Sequence, residues 1–294
     1  MRLESRYPIL MAAMNQVSDL NLALAGHAAG IFPSLSFFNY WKKVDFDLTS
    51  VEQDLLTFKK RTLTTNLIIS LGATQLLNDK ILELLIETNF LKIEVVDGLN
   101  MSTIPQIQKI RIDLKNKGFL LFVKQIVPKL IMETDVVILK GNEGAGTFSE
   151  KGHSHSLQES FNYMKKAFPS LHVIPSGGIK NSQDVSYYLN RDATAVGIGS
   201  LFAFSKESKI SDKTKNKVIE STSDEITRIK DKNQKGLMFD EIRHDDLNNT
   251  LSLRMGIQDP TKGHVFVGNS IDVINSIKTV KEIVEDLVTD IKDL

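Results

Sequence analysis

Two short stretches, Ser176-Gly177-Gly178 and Gly197-Ile198-Gly199-Ser200, each close a run of aliphatic residues and open a helical pattern. Glycine at such a junction serves either of two purposes. It takes up positive φ in a tight turn, or it lets an anion approach the N–H groups that begin the next helix. Either stretch alone reads equally well as a turn. Two in succession, with the hydroxyls of Ser176 and Ser200, read better as the halves of a phosphate cradle. A third stretch, LKGNEGAGTFSEKGHS (Leu139–Ser154), carries enough glycine to lie close against a planar ligand, and Glu143 is the only carboxylate in its glycine core. His153 and His155 follow on the same stretch, where they could fold over a site; surface or capping roles compete with this. No carboxylate or third histidine is spaced to complete a metal centre with them, so no metal is expected.

The elements that must position these loops alternate along the chain. Strand-like runs occur at Ile9–Ala13, Gly30–Leu35, Thr64–Ile69, Lys92–Val96, Phe119–Val123, Val136–Leu139, His172–Ile174 and Ala195–Ile198. Between them lie helical faces such as Leu77, Ile81, Leu84, Leu85 and Thr88, or Ile107, Ile110 and Leu114. Near-continuous apolar strands separated by helices imply a parallel sheet covered on both sides. Eight such units predict an α/β fold of the (β/α)8 TIM-barrel type, one domain spanning residues 1–294. Barrel sites form at the C-terminal ends of strands, which selects Met14–Gln16, Ser36–Phe38, Ser70–Gly72, Asp97–Gly98, Lys124, Lys140–Thr147, Ser176–Gly178 and Gly199–Ser200. Phosphate sites favour the loops after strands seven and eight, where the two glycine stretches fall. Phe37, Phe38, Tyr40 and Trp41 follow strand two and could wall a pocket, or simply pack.

The rhythm breaks after the eighth unit. Lys206–Lys235 reads as an exposed helical excursion with a solvated charged face, and Gly236–Lys262 as loop; together, 206–262 is a candidate lid. Val280, Ile283, Val284, Leu287 and Ile291 then form the stripe of a terminal helix. Composition excludes several classes. With 36 Lys+Arg against 36 Asp+Glu in 294 residues, nothing global attracts nucleic acid or an anionic membrane. The absence of cysteine removes disulfides, thiolate metal sites and cysteine nucleophiles. Pro8–Met14 is too short and too soon followed by polar residues for a secretory signal, and no window nears the roughly 18 apolar residues of a membrane span. A soluble cytoplasmic protein with a small-molecule substrate and a possible homo-oligomeric state is expected.

The chain resembles the nitronate monooxygenase (2-nitropropane dioxygenase-like) flavoproteins, relatives of FMN-dependent enoyl-acyl carrier protein reductases. The likeness runs through YPILMAAMNQVSDLNLALAGHAAGI, TTNLIISLG, DVVILKGNEGAG, HVIPSGGIKNSQDVSYYLNRDATAVGIGSLFAFSKES and GHVFVGNSIDVINSIKTVKEIVEDL, most of the chain. The resemblance implies FMN as cofactor. Ala12, Ala13 and Met14 would lie along the flavin ring, Asn66 would hydrogen-bond near it, and Lys124 would approach it. Ser176, Gly177, Gly178, Gly199 and Ser200, with Gly197 in the same loop, would hold the phosphate. A cation at Lys124 makes physical sense, because a reduced flavin gains negative charge.

One departure bears on the reaction. The family's loop after strand six typically reads Glu-Ala-Gly-Gly-His, and its histidine moves a proton. Here the loop is Glu143-Gly144-Ala145-Gly146-Thr147, and threonine has no useful pKa near neutrality. The family's Ala-Pro-Met has likewise become Ala12-Ala13-Met14. Candidate catalytic residues are therefore Lys124, Glu143, Thr147 at the histidine position, and His153. The expected activity is oxidation of alkyl nitronates by O2. The alternatives are NAD(P)H-dependent reduction of enoyl thioesters, and a flavin- or phosphate-binding barrel that serves as a non-catalytic subunit.

Overall fold

The computed structural model describes residues 4–40, 46–76, 78–96, 105–126, 134–147, 156–229, 234–237 and 249–291. Eleven strands occur among them: β1 (Ile9–Met11), β2 (Ser34–Ser36), β3 (Ile68–Leu71), β4 (Lys92–Val96), β5 (Leu120–Gln125), β6 (Val136–Lys140), β7 (Gly146–Thr147), β8 (His172–Ser176), β9 (Val196–Ile198), β10 (Ile226–Ile229) and β11 (Gln234–Leu237). Eight form one sheet in the order β1-β9-β8-β6-β5-β4-β3-β2, with every pairing parallel. The seam closes where Met11 N donates to Phe32 O (2.9 Å) and Phe32 N to Ile9 O (2.8 Å). The molecule is a TIM barrel, and each of the eight expected runs supplies one of its strands.

Period-two alternation sorts the strand residues. Leu10, Phe32, Ile68, Phe122, Val136, Ile138, Ile174 and Ala195 point inward and make a dry plug. Their neighbours Ile9, Met11, Val137, Leu139, Val173, Val196 and Ile198 point outward under the helices Leu157–Ala167, Ser182–Leu189 and Val280–Leu287. On the other side, Ile69, Leu71, Ile93, Val95 and Leu121 pack beneath Leu48–Thr62 and Asp79–Thr88. The terminal helix begins with a capping box between Thr279 and Glu282, and it buries Val280, Ile283, Val284 and Leu287, the face its spacing predicts.

The excursion is more ordered than its composition suggests. β10 and β11 form an antiparallel pair, and β11 continues onto β7, so Gln234 lies opposite Thr147 and Lys235 opposite Gly146. Helix Asp212–Ile219 does not present a solvated charged face all round. Its Thr214 donates through Oγ1 to Gly256 O (2.9 Å), and buried Lys215 donates to Ser208 O (2.9 Å). Residues 249–258, expected as loop, form a helix packed against it. No helix among the described residues is long and apolar enough to cross a membrane.

Candidate active site

The C-terminal mouth gathers residues from distant parts of the sequence. Ala12, Ala13 and Met14 follow β1, and the Met14 turn is fixed by Met14 N donating to Ser18 Oγ (2.9 Å). Gly199, at the end of β9, faces them: a Cβ there would lie 3.6 Å from Met14 Sδ and 3.8 Å from Ala12 Cβ. Lys124 reaches in from β5, with Nζ 3.5 Å from Ala13 O. Thus the structure brings together Ala12, Ala13, Met14, Lys124 and Gly199.

The two glycine loops adjoin them, and protein packing accounts for part of their composition. Gly177 and Gly178 have φ of +106° and +77°, which an L side chain adopts only with strain. A Cβ on Gly177 would meet Gly144 Cα at 3.0 Å, and one on Gly178 would meet Glu143 Cβ at 2.5 Å. Gly197 is needed where β9 passes β8, since a Cβ would lie 2.7 Å from Ser176 Oγ. What packing leaves over is a set of donors. Among the described residues, no protein acceptor meets the N–H groups of Gly178, Gly199 and Ser200, while the Ser176–Gly197 bridge aims the Gly177 N–H at Gly197 O. Ser200 Oγ accepts from Gly268 N (3.0 Å), which leaves its own proton to donate. Three unanswered N–H groups beside Ser176 and Ser200 suit a phosphate.

Beneath the mouth lies a group that sequence reasoning missed. Glu94, fully buried on β4, accepts from Lys124 Nζ (2.9 Å) and from Ser70 Oγ (3.2 Å). Its signal was present: a lone carboxylate at the inward position of KIEVV, inside a strand that is otherwise buried. Lys140, selected from its strand end, closes β6 opposite Ser176 and lies along Gly144, whose added Cβ would be 3.6 Å from Lys140 Cε.

One expected site residue lies elsewhere. Asn66 precedes β3 and therefore stands at the N-terminal end of the barrel, away from the mouth. Its amide donates to Glu4 O, and its Oδ1 accepts from Lys92 Nζ (2.9 Å), so it plugs the barrel floor. The run from Thr64 was read as strand from its first residue, whereas the sheet begins at Ile68. Glu143 stays beside the glycine loops, its Cβ against Gly178, with one carboxylate oxygen used at a helix start. Its Oε1 accepts from Leu157 N (3.3 Å) at the start of the helix Leu157–Ala167, and its Oε2 is buried. Helix N-termini attract carboxylates for this reason. The same charge helps push the Tyr188 hydroxyl pKa upward, after burial, which is the larger cause.

Thr147 sits on β7, tied to the excursion by its ladder with Gln234. His153, His155, Trp41, Leu77 and Asp97–Gly98 lie outside the described residues. Tyr40 packs on Phe37 and Phe46 and donates to Asp54 Oδ2 (2.6 Å), a structural use of the aromatic cluster. His172 stands at the N-terminal end of β8, where burial lowers its pKa.

A family model described as nitronate monooxygenase matches residues 96–290. No curated protein matches the chain by sequence. Solved structures share its fold. FabK from Thermotoga maritima superposes with a TM-score of 0.78 at 21% identity, covering 98% of this chain and 93% of that one. A nitroalkane oxidase from Streptomyces ansochromogenes gives 0.74 at 17% identity, covering 98% and 96%. The enoyl reductase domain of MlnA, from the macrolactin cluster of Bacillus amyloliquefaciens, gives 0.70 at 12%, covering 98% and 94%.

Proposed function

Because the chain belongs to the nitronate monooxygenase family, we propose that this oxidoreductase binds FMN and oxidises alkyl nitronates with molecular oxygen. The observation that carries the reading is the set of unanswered N–H groups at Gly178, Gly199 and Ser200, next to the mouth that Lys124 enters. These donors, with the hydroxyls of Ser176 and Ser200, would hold the FMN phosphate. Ala12, Ala13 and Met14 would lie along the ring.

When bound, FMN supplies the acceptor that takes electrons from the nitronate and passes them to oxygen. The chain's own residues set which substrate can use it. Lys124 places a cation where negative charge accumulates, held there by Glu94. Thr147 offers no proton acceptor near neutral pH, so the substrate must arrive as the anion. A nitronate meets that condition and a neutral nitroalkane does not. Segment 206–262, joined to the mouth through β7 and β11, is read as its cover within one FMN-binding domain.

An anaerobic absorption spectrum of the purified protein, titrated first with an alkyl nitronate and then with NAD(P)H, tests the proposal. Bleaching by the nitronate supports it. Bleaching by NAD(P)H, with colour restored by an enoyl thioester, would replace it with an enoyl-thioester reductase. A colourless protein with no saturable FMN binding would leave a non-catalytic barrel.

A further inference from the structure

Glu94 is a carboxylate that the proposed chemistry does not by itself require. It is fully buried, directly opposite Ser70 in the β3–β4 register and two residues below the level of Lys124. One oxygen, Oε1, takes both available donors, Lys124 Nζ at 2.9 Å and Ser70 Oγ at 3.2 Å. The other, Oε2, is buried with no hydrogen-bond partner among the described residues. An ionised carboxylate in such a place depends on Lys124, the cation that the described residues bring to it, because burying a charge without a partner is costly. Lys124 depends on Glu94 in turn: its side chain retains only 12% of its exposure, and its other hydrogen bond among the described residues is to the Ala13 carbonyl at 3.5 Å.

We propose that Glu94 is a positioning and charge-balancing residue, so that the site is faced by a neutral Lys124–Glu94 pair rather than by a free cation. This rests on the FMN reading above. The pair fixes the ammonium in one place and lowers the positive potential it projects across the mouth. It therefore sets how strongly the site favours electron-rich forms of a bound flavin. The carboxylate acts through Lys124 and touches no substrate.

Sulfite provides the probe. It bleaches flavins by adding to the ring, and the product is favoured by positive charge beside it. The holoprotein is titrated with sodium sulfite, and the dissociation constant is read from the loss of flavin absorbance. Glu94→Gln preserves the shape and frees the cation, so sulfite should bind at least about tenfold tighter. Lys124→Met leaves the carboxylate alone and should weaken sulfite binding by roughly the same factor. The double variant restores neutrality and should return to within about threefold of the parent. A purely structural role for Glu94 would weaken FMN retention in every variant without this reversal of sign. Flavin-loaded Glu94→Gln protein with unchanged sulfite affinity overturns this inference alone. Parent protein that takes up no FMN overturns the flavin reading, and this inference with it.

Discussion

Arg254 Nε donates to Gln16 Oε1 at 3.1 Å, joining the helix Asn249–Gln258 to the loop after β1 across 238 positions of sequence. Gln16 is well chosen for the junction. It holds φ at +63°, and its Nε2 donates to Phe38 O (3.2 Å), so one side chain links the excursion to the loops after β1 and β2. Arg254→Ala should release this tie and open segment 206–262 to protease without unfolding the barrel. Limited proteolysis read by mass spectrometry checks it, with a stability loss of about 1.5–3 kcal/mol, the scale of one charge-assisted hydrogen bond. Cleavage sites unchanged from the parent would show that β7–β11 pairing alone holds the segment.

Asn66→Ala distinguishes the barrel floor from the mouth. It removes the acceptor of Lys92 and the donor to Glu4, so it should lower stability by about 1–3 kcal/mol. FMN affinity of the folded variant should match the parent. A variant that keeps its melting temperature but loses FMN would return Asn66 to the cofactor.

These two residues show what was legible in the sequence. The eight barrel strands were, because parallel strands buried on both faces read as continuous apolar runs. Strand ends were not, since Thr64–Leu67 looks like strand but serves as the approach to it; the family resemblance puts Asn66 at the flavin, whereas its bonds to Glu4 and Lys92 put it on the floor. The chemistry of the glycine loops was partly legible: composition marked them, while the division between packing and free donors needed coordinates. Gly178 is required by Glu143, and Gly197 by Ser176. The ladder β7–β11–β10 was hidden because short antiparallel strands in a charged segment carry almost no periodicity. Glu94 was visible as a charge within a strand, but its partner Lys124 lies on the next strand, thirty residues on.

Thr147→His restores an imidazole at the position where the family pattern has one. Turnover of neutral nitroalkanes should rise by about 10²-fold or more, the usual contribution of a positioned base, with nitronate turnover changed far less. In the parent, nitronates should be oxidised faster than nitroalkanes at neutral pH. Equal rates for the two forms in the parent would mean that another group removes the proton.

Asp259 gives the excursion an acid limit. Hydrogen bonds from Lys213 and then Thr261 hold its carboxyl below the usual carboxylate range, at about 2. A carboxylate whose folded pKa is depressed contributes stability that is complete above its unfolded pKa and is lost as pH falls through the folded value. Since Asp259 accepts from Lys213 (2.8 Å), that contribution ties the helix Asp212–Ile219 to the end of Asn249–Gln258. Asp259→Asn should flatten the fall in stability between about pH 4 and pH 2. Parallel acid titrations followed by circular dichroism check this, and identical profiles would remove the role.

Paired glycine substitutions separate fold from ligand in the cradle. Gly178→Ala places a methyl at φ +77° and 2.5 Å from Glu143 Cβ, so it should cost stability whether or not a ligand binds. The loss should be about 1–3 kcal/mol in the protein stripped of cofactor. Gly199 has φ of −113°, and its added Cβ meets Met14 only at an ordinary 3.6 Å. Gly199→Ala should therefore melt with the parent when stripped, yet bind FMN at least about tenfold more weakly, because a methyl obstructs close approach of a phosphate to the adjoining N–H groups. Thermal melts with and without FMN, beside a fluorescence titration of the cofactor, read both effects. If Gly199→Ala binds FMN as the parent does, the phosphate is held without close approach at Gly199, and the cradle narrows to Gly178 and Ser200.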